Sequence, residues 1–324
     1  MTNEFKNILV IHFGQLGDVV MGLPAMKAIR GRFPDSQITA VVGSATEEVV
    51  KIAGLFDEVI PVDRVRLLKG SKIPSAIEII KFAVSMRRRR FDFVIDLHSL
   101  PETNLLGYFS GAKYRLFSRR ESRSLDRLSR FDPPPPAEDK AIHLSQYYLD
   151  VLTPLGVVGK SEPFVFEKFE GSERQDKPIV GINPGAGNPS RRWPVENFVE
   201  LARRITDSGV ADVEVLIGPE DGLLAEAFTA ALQGRCTINR SFGLSHLIVS
   251  LQRFVLVISN DTGPAHIAAA AGTPIVLLMQ NAAPERYLPL TENLTIHRGE
   301  QLADIPVKTV FESVMAAIET SAQG

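Results

Sequence analysis

The chain of 324 residues is long enough for two domains, each with a hydrophobic core of its own. Lysine and arginine number 36 against 38 acidic residues, and this near balance argues against binding nucleic acid over a broad surface. The one cysteine, Cys236, excludes an intramolecular disulfide and a cysteine-based zinc site. Residues 1–6 are polar, and no apolar run reaches the roughly 18 residues of a membrane-spanning helix. We therefore expect a cytoplasmic protein without a signal peptide.

Strand and helix patterns alternate along the first half of the chain, as in a doubly wound parallel sheet. The patterns predict strands at 7–13, 37–42, 58–62 and 91–97. They predict helices at 19–33, 45–53, 73–86 and 143–155. An arginine-rich stretch and a rigid proline loop at 133–136 interrupt the alternation. We place the domain boundary in the charged, poorly periodic segment 156–177.

A second alternation of the same kind begins at residue 178. It predicts strands at 179–183, 214–218, 254–258 and 275–279. The helices are predicted at 195–208, 223–233, 244–252, 265–271 and 307–321. The sequence thus predicts two α/β domains, 1–165 and 166–324, with a terminal helix that is free to pack back on the first. Two domains facing across a cleft are a preferred arrangement for a ligand.

The turn at 259–264 follows a buried strand and precedes a short alanine-rich helix. Its Ser-Asn-Asp-Thr run consists of residues whose side-chain oxygens cap helices. Backbone N–H groups near Thr262 and Gly263, together with the helix dipole, favour an anion such as a phosphate. His266 lies one turn into the helix, where it could face this ligand. A plain capped turn is the alternative, but the polar run is longer than capping needs and follows a strand end that binds ligands in open α/β sheets.

Two other turns follow strands, at 14–18 and 184–193. Neither has the spacing of a P-loop or of Gly-x-Gly-x-x-Gly, which weakens an ATPase or a dehydrogenase interpretation. Asp18 begins a helix whose dipole would hold its carboxylate ionised, so it could take a proton from an attacking hydroxyl; capping this helix is the alternative role. Ser190, Arg191 and Arg192 lie on the second turn, where the arginines suit a diphosphate leaving group or are merely solvated.

The stretch 87–130 carries an excess of six positive charges, although the whole chain carries −2. This local excess fits a phosphorylated acceptor or the anionic face of a membrane, with a solvated surface as the alternative. The sequence contains no His-x-x-x-His or Asp-x-Asp pattern, so we expect no required metal.

Four parts of the chain together resemble glycosyltransferase family 9, the heptosyltransferases that build the inner core of lipopolysaccharide. They are 8–24, with Gly-Gln-Leu-Gly-Asp; 91–97; 183–186 with Arg-Trp-Pro at 192–194; and 260–274, with Asn-Asp-Thr-Gly-Pro-Ala-His. The first and last are the specific ones. The resemblance implies a GT-B fold of two Rossmann-like domains, the first binding the acceptor and the second a nucleotide sugar, typically ADP-L-glycero-D-manno-heptose. It also implies inversion at the anomeric centre without a metal.

The resemblance carries over to individual residues. Asp18 matches the family's general base, and Arg191 stands where the family often has a lysine; an arginine can neutralise phosphates but cannot act as an acid. The expected donor-binding residues are Asn183, Ser190, Arg192, Glu220, Asp221, Asp261, Thr262, Gly263 and His266. The expected acceptor-binding residues are Gly17, His98, Arg120 and Arg123. The segment 280–284, Gln-Asn-Ala-Ala-Pro, departs from the family's Gly-Pro-Thr type of turn near the expected position of the sugar or base.

We therefore expect an inverting, metal-independent transferase that moves a heptose or related sugar from an ADP-sugar to a phosphorylated inner-core glycolipid of lipopolysaccharide. No cofactor is expected beyond this nucleotide-sugar co-substrate, and nucleic acid is not an expected partner. The enzyme would be cytoplasmic, with possible peripheral contact at the inner membrane. The alternatives on the same fold are a nucleotide-sugar epimerase and a non-catalytic nucleotide-sugar-binding protein.

Overall fold

The computed structural model describes residues 5–63, 72–121, 124–219, 221–240 and 243–321, apart from the side chains of 72–79. The chain divides into two compact units, Met1–Glu162 and Pro163–Gly324. The boundary expected from the sequence, between 165 and 166, lies in the same segment, 157–178, which contains neither helix nor strand.

The first unit is a parallel sheet covered by helices. Its strands are β1 (Asn7–His12), β2 (Gln37–Gly43), β3 (Glu58–Val62), β4 (Phe93–Asp96) and β5 (Tyr114–Phe117). Its helices are α1 (Leu16–Arg32), α2 (Glu47–Ile52), α3 (Lys72–Arg88), α4 (Pro101–Phe109) and α5 (Leu144–Asp150). The strand order is β3-β2-β1-β4-β5, and Ile8 of β1 pairs with Ile38 on one side and Phe93 on the other.

Burial on both faces explains the continuous apolar runs of the inner strands. Successive side chains of a strand point to opposite faces, and both Ile8 and Leu9 are fully buried. One face of the sheet forms a core in which Leu9 and Val94 lie with Met86 of α3 and Leu106 of α4.

The second unit repeats this architecture. Its strands are β6 (Ile179–Asn183), β7 (Asp212–Leu216), β8 (Thr237–Asn239), β9 (Leu256–Asn260), β10 (Ile275–Gln280) and β11 (Leu294–Gly299). Its helices are α6 (Val195–Ser208), α7 (Gly222–Leu232), α8 (Leu244–Arg253), α9 (Gly263–Ala270) and α10 (Val307–Ser321). The parallel strands follow the order β11-β10-β9-β6-β7-β8. The predicted pair of doubly wound sheets is therefore confirmed.

The terminal helix α10 belongs to the core of the second unit. Val310, Val314 and Ile318 are buried there beside Val180 of β6. The sequence analysis left this helix free to pack on the first domain, whereas its apolar face is used within its own unit. Across the described ranges, no helix has the length and apolarity needed to cross a membrane.

Each sheet has a point at which the strand order reverses. In the first unit it lies between β1 and β4, and in the second between β6 and β9. Connections leave these neighbouring strands in opposite directions, so a crevice opens outside their carboxyl ends, which is where open α/β sheets bind ligands. The predicted turns at 14–18 and 259–264 follow β1 and β9 and therefore lie at these two points.

Candidate functional site

Thr262 precedes α9 at the reversal point of the second unit. Its backbone is extended (φ −149°, ψ 169°), and its side chain makes no capping hydrogen bond to the helix. Its hydroxyl instead donates to the carbonyl of Asn260 (3.3 Å) and accepts from Nδ2 of Asn183 (3.3 Å). Thr262 therefore does not fill the capping role that was the alternative interpretation of this turn. Because Thr262 does not cap the backbone N–H groups at the start of α9, these groups suit an anion, as the sequence analysis proposed for this turn.

Two buried asparagines fix the turn at the ends of β6 and β9. Nδ2 of Asn183 donates to Oγ of Ser259 (2.9 Å). Asn260 accepts the backbone N–H of Trp193 (2.9 Å) and donates to the carbonyl of Pro184 (3.0 Å). The loop 184–193 is thus attached to the strand end that carries Thr262. Asn183, expected to bind the donor, uses its amide to position this turn.

The loop 184–193 is held down by Trp193, Arg192 and Asp221. Trp193 is 1% exposed, and its indole N–H donates to the carbonyl of Ile305 (3.1 Å). Arg192 donates to the carbonyl of Ala186 (2.8 Å) and pairs with Asp221 (3.3 Å). The expected donor-binding residues Arg192 and Asp221 therefore bind each other, while Glu220 lies outside the described residues.

Asp221 requires glycine in the neighbouring turn. A Cβ atom added to Gly185 would overlap its carboxylate, and one added to Gly218 would lie 2.9 Å from Oδ2. A Cβ added to Gly187, by contrast, would meet nothing within 4 Å. Gly185 and Gly218 thus allow one carboxylate to fit between the turns that follow β6 and β7.

Arg191, Asp261 and Arg298 lie in one electrostatic environment. Burial raises the pKa of Asp261 above its usual range, and the positive charges of Arg191 and Arg298 oppose this rise. Arg191 is exposed at the end of the turn Pro189–Arg191. Asn188 shapes this turn by accepting the backbone N–H and the hydroxyl of Ser190, both at 3.0 Å. Two cations near the start of α9 suit a diphosphate.

Arg298 is a residue that the sequence analysis missed. It lies on β11, opposite Met279 of β10. Its Nη1 donates to the carbonyls of Gln280 (3.3 Å), Asn281 (3.4 Å) and Ala283 (3.2 Å). It therefore holds the segment that departs from the family pattern. Only strand pairing brings Arg298 there, so no local motif could have identified it.

The small residues of α9 leave room for a ligand to come close to this turn. Gly263 is half-buried at the start of the helix, and His266 is 6% exposed one turn later. Ala265, Ala268 and Ala269 are buried beneath them. The turn thus brings together Asn183, Thr262, Gly263, His266 and Asp261, as the sequence predicted.

Asp18 lies at the reversal point of the first unit, in the first turn of α1. Its Oδ2 accepts the backbone N–H of Gln15 (3.1 Å), and no hydrogen bond to Oδ1 occurs among the described residues. A Cβ on Gly14 would lie 2.5 Å from Cβ of Asp18, so only glycine fits there. Asp18 therefore fills the capping role with Oδ2, while Oδ1 makes no hydrogen bond to the described residues.

The environment of Asp18 shifts its acidity in the direction that suits a base. Burial raises the pKa of Asp18, opposed by the Gln15 N–H and the charge of Arg120. From the sequence we expected the helix dipole to keep the Asp18 carboxylate ionised. In the structure, burial is the largest influence on its pKa and raises it. A carboxylate whose pKa moves towards neutral pH accepts a proton more readily.

Arg120 is buried beside this carboxylate. It is 7% exposed, and its Nη2 donates to the hydroxyl of Tyr148 (3.3 Å). The guanidinium lies 6.0 Å and 5.8 Å from the ring centres of Tyr147 and Tyr148. Its Nε has no hydrogen-bond partner within the described ranges. The negative charge of Glu138 also favours this buried cation. A buried cation is suited to an incoming anion; Arg123, also expected here, lies outside the described residues.

His12 is a second residue that the sequence analysis missed. Its Nδ1 accepts the backbone N–H of Gly14 (3.2 Å), and its ring centre lies 5.1 Å from that of His98 and 5.0 Å from that of Tyr148. Burial, with the charge of Arg120, lowers the pKa of His12 to about 3. His12 is therefore neutral and supports the turn that carries Asp18.

His98 follows β4 at the same reversal point. The buried Asp96 carboxylate accepts the N–H groups of His98 (3.1 Å) and Ser99 (2.8 Å), and burial raises the pKa of Asp96 to about 6. Ser99 has a left-handed backbone (φ +46°), a strained conformation that such contacts maintain. Gly17 is half-buried beside Asp18. The first unit thus brings together Gly17, Asp18, His98 and Arg120, as the sequence predicted.

Comparison with known proteins shows the family. The family model described as glycosyltransferase family 9 (heptosyltransferase) matches residues 79–311. Lipopolysaccharide heptosyltransferase 2 of Escherichia coli (strain K12) is 22% identical over 315 residues, covering 90% of this chain and 87% of that protein. The chain therefore belongs to glycosyltransferase family 9.

Solved structures show the same fold. The glycosyltransferase family 9 protein of Veillonella parvula DSM 2008 matches with a TM-score of 0.84 and 23% identity, over 99% of both chains. The E. coli heptosyltransferase WaaC with ADP-2-deoxy-2-fluoro heptose matches with a TM-score of 0.79 and 18% identity, over 95% of this chain and 99% of that one. The expected GT-B fold is confirmed.

Proposed function

We propose that this member of glycosyltransferase family 9 transfers a heptose, or a closely related sugar, from an ADP-sugar to an inner-core acceptor of lipopolysaccharide. Two relatives support this proposal, one a lipopolysaccharide heptosyltransferase and the other a heptosyltransferase solved with an ADP-heptose analogue. The observation that carries it is the set of charged groups at the two reversal points. Arginines lie near a helix start in the second unit, and a carboxylate with a raised pKa lies near a buried arginine in the first.

The second unit binds the donor in this proposal. The diphosphate lies at the start of α9, where Thr262 and Gly263 contribute backbone N–H groups. Arg191 and Arg298 neutralise the charge that grows on the leaving ADP, so the transfer needs no metal. Removing one such donor of charge stabilisation costs about 3 kcal/mol in the barrier of other enzymes.

The first unit binds and activates the acceptor. Oδ1 of Asp18 accepts the proton of the acceptor hydroxyl while the hydroxyl oxygen attacks the anomeric carbon. The bond from this carbon to the diphosphate oxygen breaks, and ADP leaves with the electron pair. Attack from the opposite side of the leaving group inverts the anomeric centre. Arg120 binds an anionic group of the acceptor, with His98 and Gly17 beside it.

A transfer assay tests this function. The purified chain is incubated with ADP-heptose and heptose-deficient lipopolysaccharide, with UDP- and GDP-sugars as controls and with EDTA in a parallel reaction. We expect one heptose to be added from the ADP-sugar with and without EDTA, as measured by mass spectrometry, and an inverted linkage by NMR. Epimerisation of the donor without acceptor, or tight binding without transfer, contradicts the proposal and favours an epimerase or a binding protein.

A further inference from the structure

Two helices of the first unit expose large apolar side chains. On α3, Ile80 and Val84 are 62% and 43% exposed. On α4, Leu105, Tyr108 and Phe109 are 39%, 46% and 50% exposed. Their spacings of three and four residues place each set on one side of its helix. We refer to these five side chains as the apolar face.

The core does not account for this exposure, because both helices already bury another side. Met86 of α3 and Leu106 of α4 are buried in the core of the first unit. On α4, Gly107 approaches the sheet so closely that an added Cβ would lie 2.8 Å from the ring of Phe117. The helices are thus apolar on their inner and outer sides, although an amphipathic surface helix normally presents polar residues outward.

The two halves of the apolar face belong to one surface, since α3 packs against α4. Arg87 at the end of α3 reaches Gly111, the second residue after α4, and its Nη1 would lie 3.2 Å from a Cβ added there. The guanidinium of Arg115 lies 5.3 Å from the ring centre of Tyr108.

Basic residues border this surface. The exposed ones are Lys81, Arg87, Arg88, Arg90 and Lys113, which we call the basic rim. Arg89 is neutralised by its ion pair with Glu58. Asp92, the acid that follows Arg90, accepts the backbone N–H groups of Lys6 and Asn7, both at 2.9 Å. The five exposed cations of the basic rim outnumber these two acids, so the rim is positive.

We propose that the apolar face and the basic rim dock the first unit on the surface of a bilayer that contains anionic lipid. Aromatic and aliphatic side chains enter the boundary between headgroups and acyl chains, and the surrounding lysines and arginines bind anionic headgroups. A concentration of exposed apolar side chains on two helices that pack against each other marks an interaction site. None of these residues belongs to either reversal point, so docking stands independently of the proposed transfer reaction.

The charges of the basic rim argue against a second copy of this chain as the partner that binds the apolar face. A two-fold interface would bring the same surface of both copies together, and the two basic rims would repel each other. An anionic bilayer supplies both apolar depth and complementary charge.

Vesicle co-sedimentation tests the proposal with the full-length chain. We expect at least about tenfold tighter binding to phosphatidylcholine vesicles containing phosphatidylglycerol than to phosphatidylcholine alone, with the difference shrinking as NaCl is raised. Arg87→Glu with Arg88→Glu should weaken binding to the anionic vesicles at least about 25-fold, since one cation near such a surface contributes roughly a factor of five. Tyr108→Ser with Phe109→Ser should weaken binding to a similar degree.

Matched controls lie away from this surface. Val158 is 81% exposed in a loop of the same unit, and the side chain of Lys308 is 78% exposed on α10. Val158→Ser and Lys308→Glu should bind vesicles like the unmodified chain. Circular dichroism and thermal unfolding establish that each variant is folded; if the Tyr108–Phe109 variant is not, Ile80→Ser with Val84→Ser tests the same face from α3.

Three results would overturn the proposal. The unmodified chain does not bind anionic vesicles, or the face and rim variants bind as well as the controls. Alternatively, analytical ultracentrifugation finds a dimer that the Tyr108–Phe109 variant converts to monomer, which assigns the face to a second copy.

Discussion

A guanidinium nitrogen of Arg120 lies 3.3 Å from the hydroxyl oxygen of Tyr148, and the charges of Glu138 and Asp18 also act on this arginine. An aromatic hydroxyl and nearby carboxylate charge thus stabilise a buried cation close to Asp18. The positive charge of Arg120 acts in turn on the Asp18 carboxylate through space.

Replacing Arg120 should change the pH dependence of transfer. The charge of Arg120 works against the rise in the pKa of Asp18, so Arg120→Met should raise this pKa further. Protonated Asp18 cannot act as a base, and the acid limb of kcat/KM should therefore move to higher pH. The KM for the acceptor should rise about tenfold, because a charge-assisted contact is lost. Arg120→Lys keeps a positive charge, so the shift of the acid limb and the rise in KM should both be smaller than in Arg120→Met.

The neighbouring Arg119 is the control for this measurement. Its side chain is 43% exposed and pairs with Asp126 at 3.6 Å. Arg119→Met should leave the pH profile and the acceptor KM unchanged. An unmoved acid limb in Arg120→Met, or an equal movement in both variants, contradicts the assignment of Arg120.

Asp18→Asn should lower kcat by a factor of about 10² to 10⁴, the usual contribution of a general base. The amide oxygen of asparagine can still accept the Gln15 N–H, so the turn should be retained. Donor affinity, measured by calorimetry, should be unchanged because the donor-binding residues belong to the second unit. Asp35→Asn, which alters an exposed acid, is the matched control. Near-normal turnover in Asp18→Asn argues against Asp18 as the base.

Gly185→Ala should weaken donor binding, whereas Gly187→Ala in the same loop should not. The first added Cβ displaces the Asp221 carboxylate from Arg192, and the second meets open space. We expect about a tenfold loss of ADP affinity in Gly185→Ala, equal to about 1.4 kcal/mol. Isothermal calorimetry and thermal unfolding of both variants provide the comparison. Equal affinities in the two variants show that the Arg192–Asp221 pair does not shape the donor site.

His12 should make folding stability fall in acid. Its pKa is about 3 in the folded chain against 6.5 ordinarily, so the unfolded chain binds a proton first. The stabilisation is complete above pH 6.5 and is lost as the pH falls towards 3, by about 1.4 kcal/mol per pH unit. The buried Asp96, with its pKa raised to about 6, acts in the opposite direction, because the folded chain takes up its proton more readily.

Comparison with a variant isolates the histidine, since Asp96 is present in both proteins. His12→Asn should be less stable than the unmodified chain at neutral pH, and this difference should shrink as the pH falls from 6.5. Urea unfolding at several pH values measures it, with the exposed His246→Asn as control. A difference that does not depend on pH contradicts a buried neutral His12.

The sequence predicted elements well where periodicity or a buried apolar run is strong. The helices at 195–208 and 307–321 and the strands at 58–62 and 179–183 have the predicted bounds. It missed α4, β5, β8 and β11. Tyr114–Phe117 is a short strand amid arginines, and Thr237–Asn239 is an edge strand of three residues, so neither produces a clear pattern.

The candidate site was predictable where its residues follow one another along the chain. Asp261, Thr262, Gly263 and His266 share one turn, whose caps, glycine and helix are visible in the sequence. Tyr148 and Arg298 reach their positions only through sheet pairing and packing between elements distant in sequence. His12 is local to the turn that carries Asp18, but its burial depends on such packing. The raised pKa of Asp18 was also out of reach, because burial depends on these same distant contacts.

The hydrogen bonds from Arg298 to the segment 280–283 bear on how the sugar preference of this enzyme can be changed. Within 280–283 Arg298 binds main-chain oxygens, and its ion pair with Glu285 holds the residues that follow. Substitutions of side chains within 280–283 leave these main-chain acceptors in place, so the sugar preference of the enzyme can be altered here without rebuilding the sheet that supports the segment.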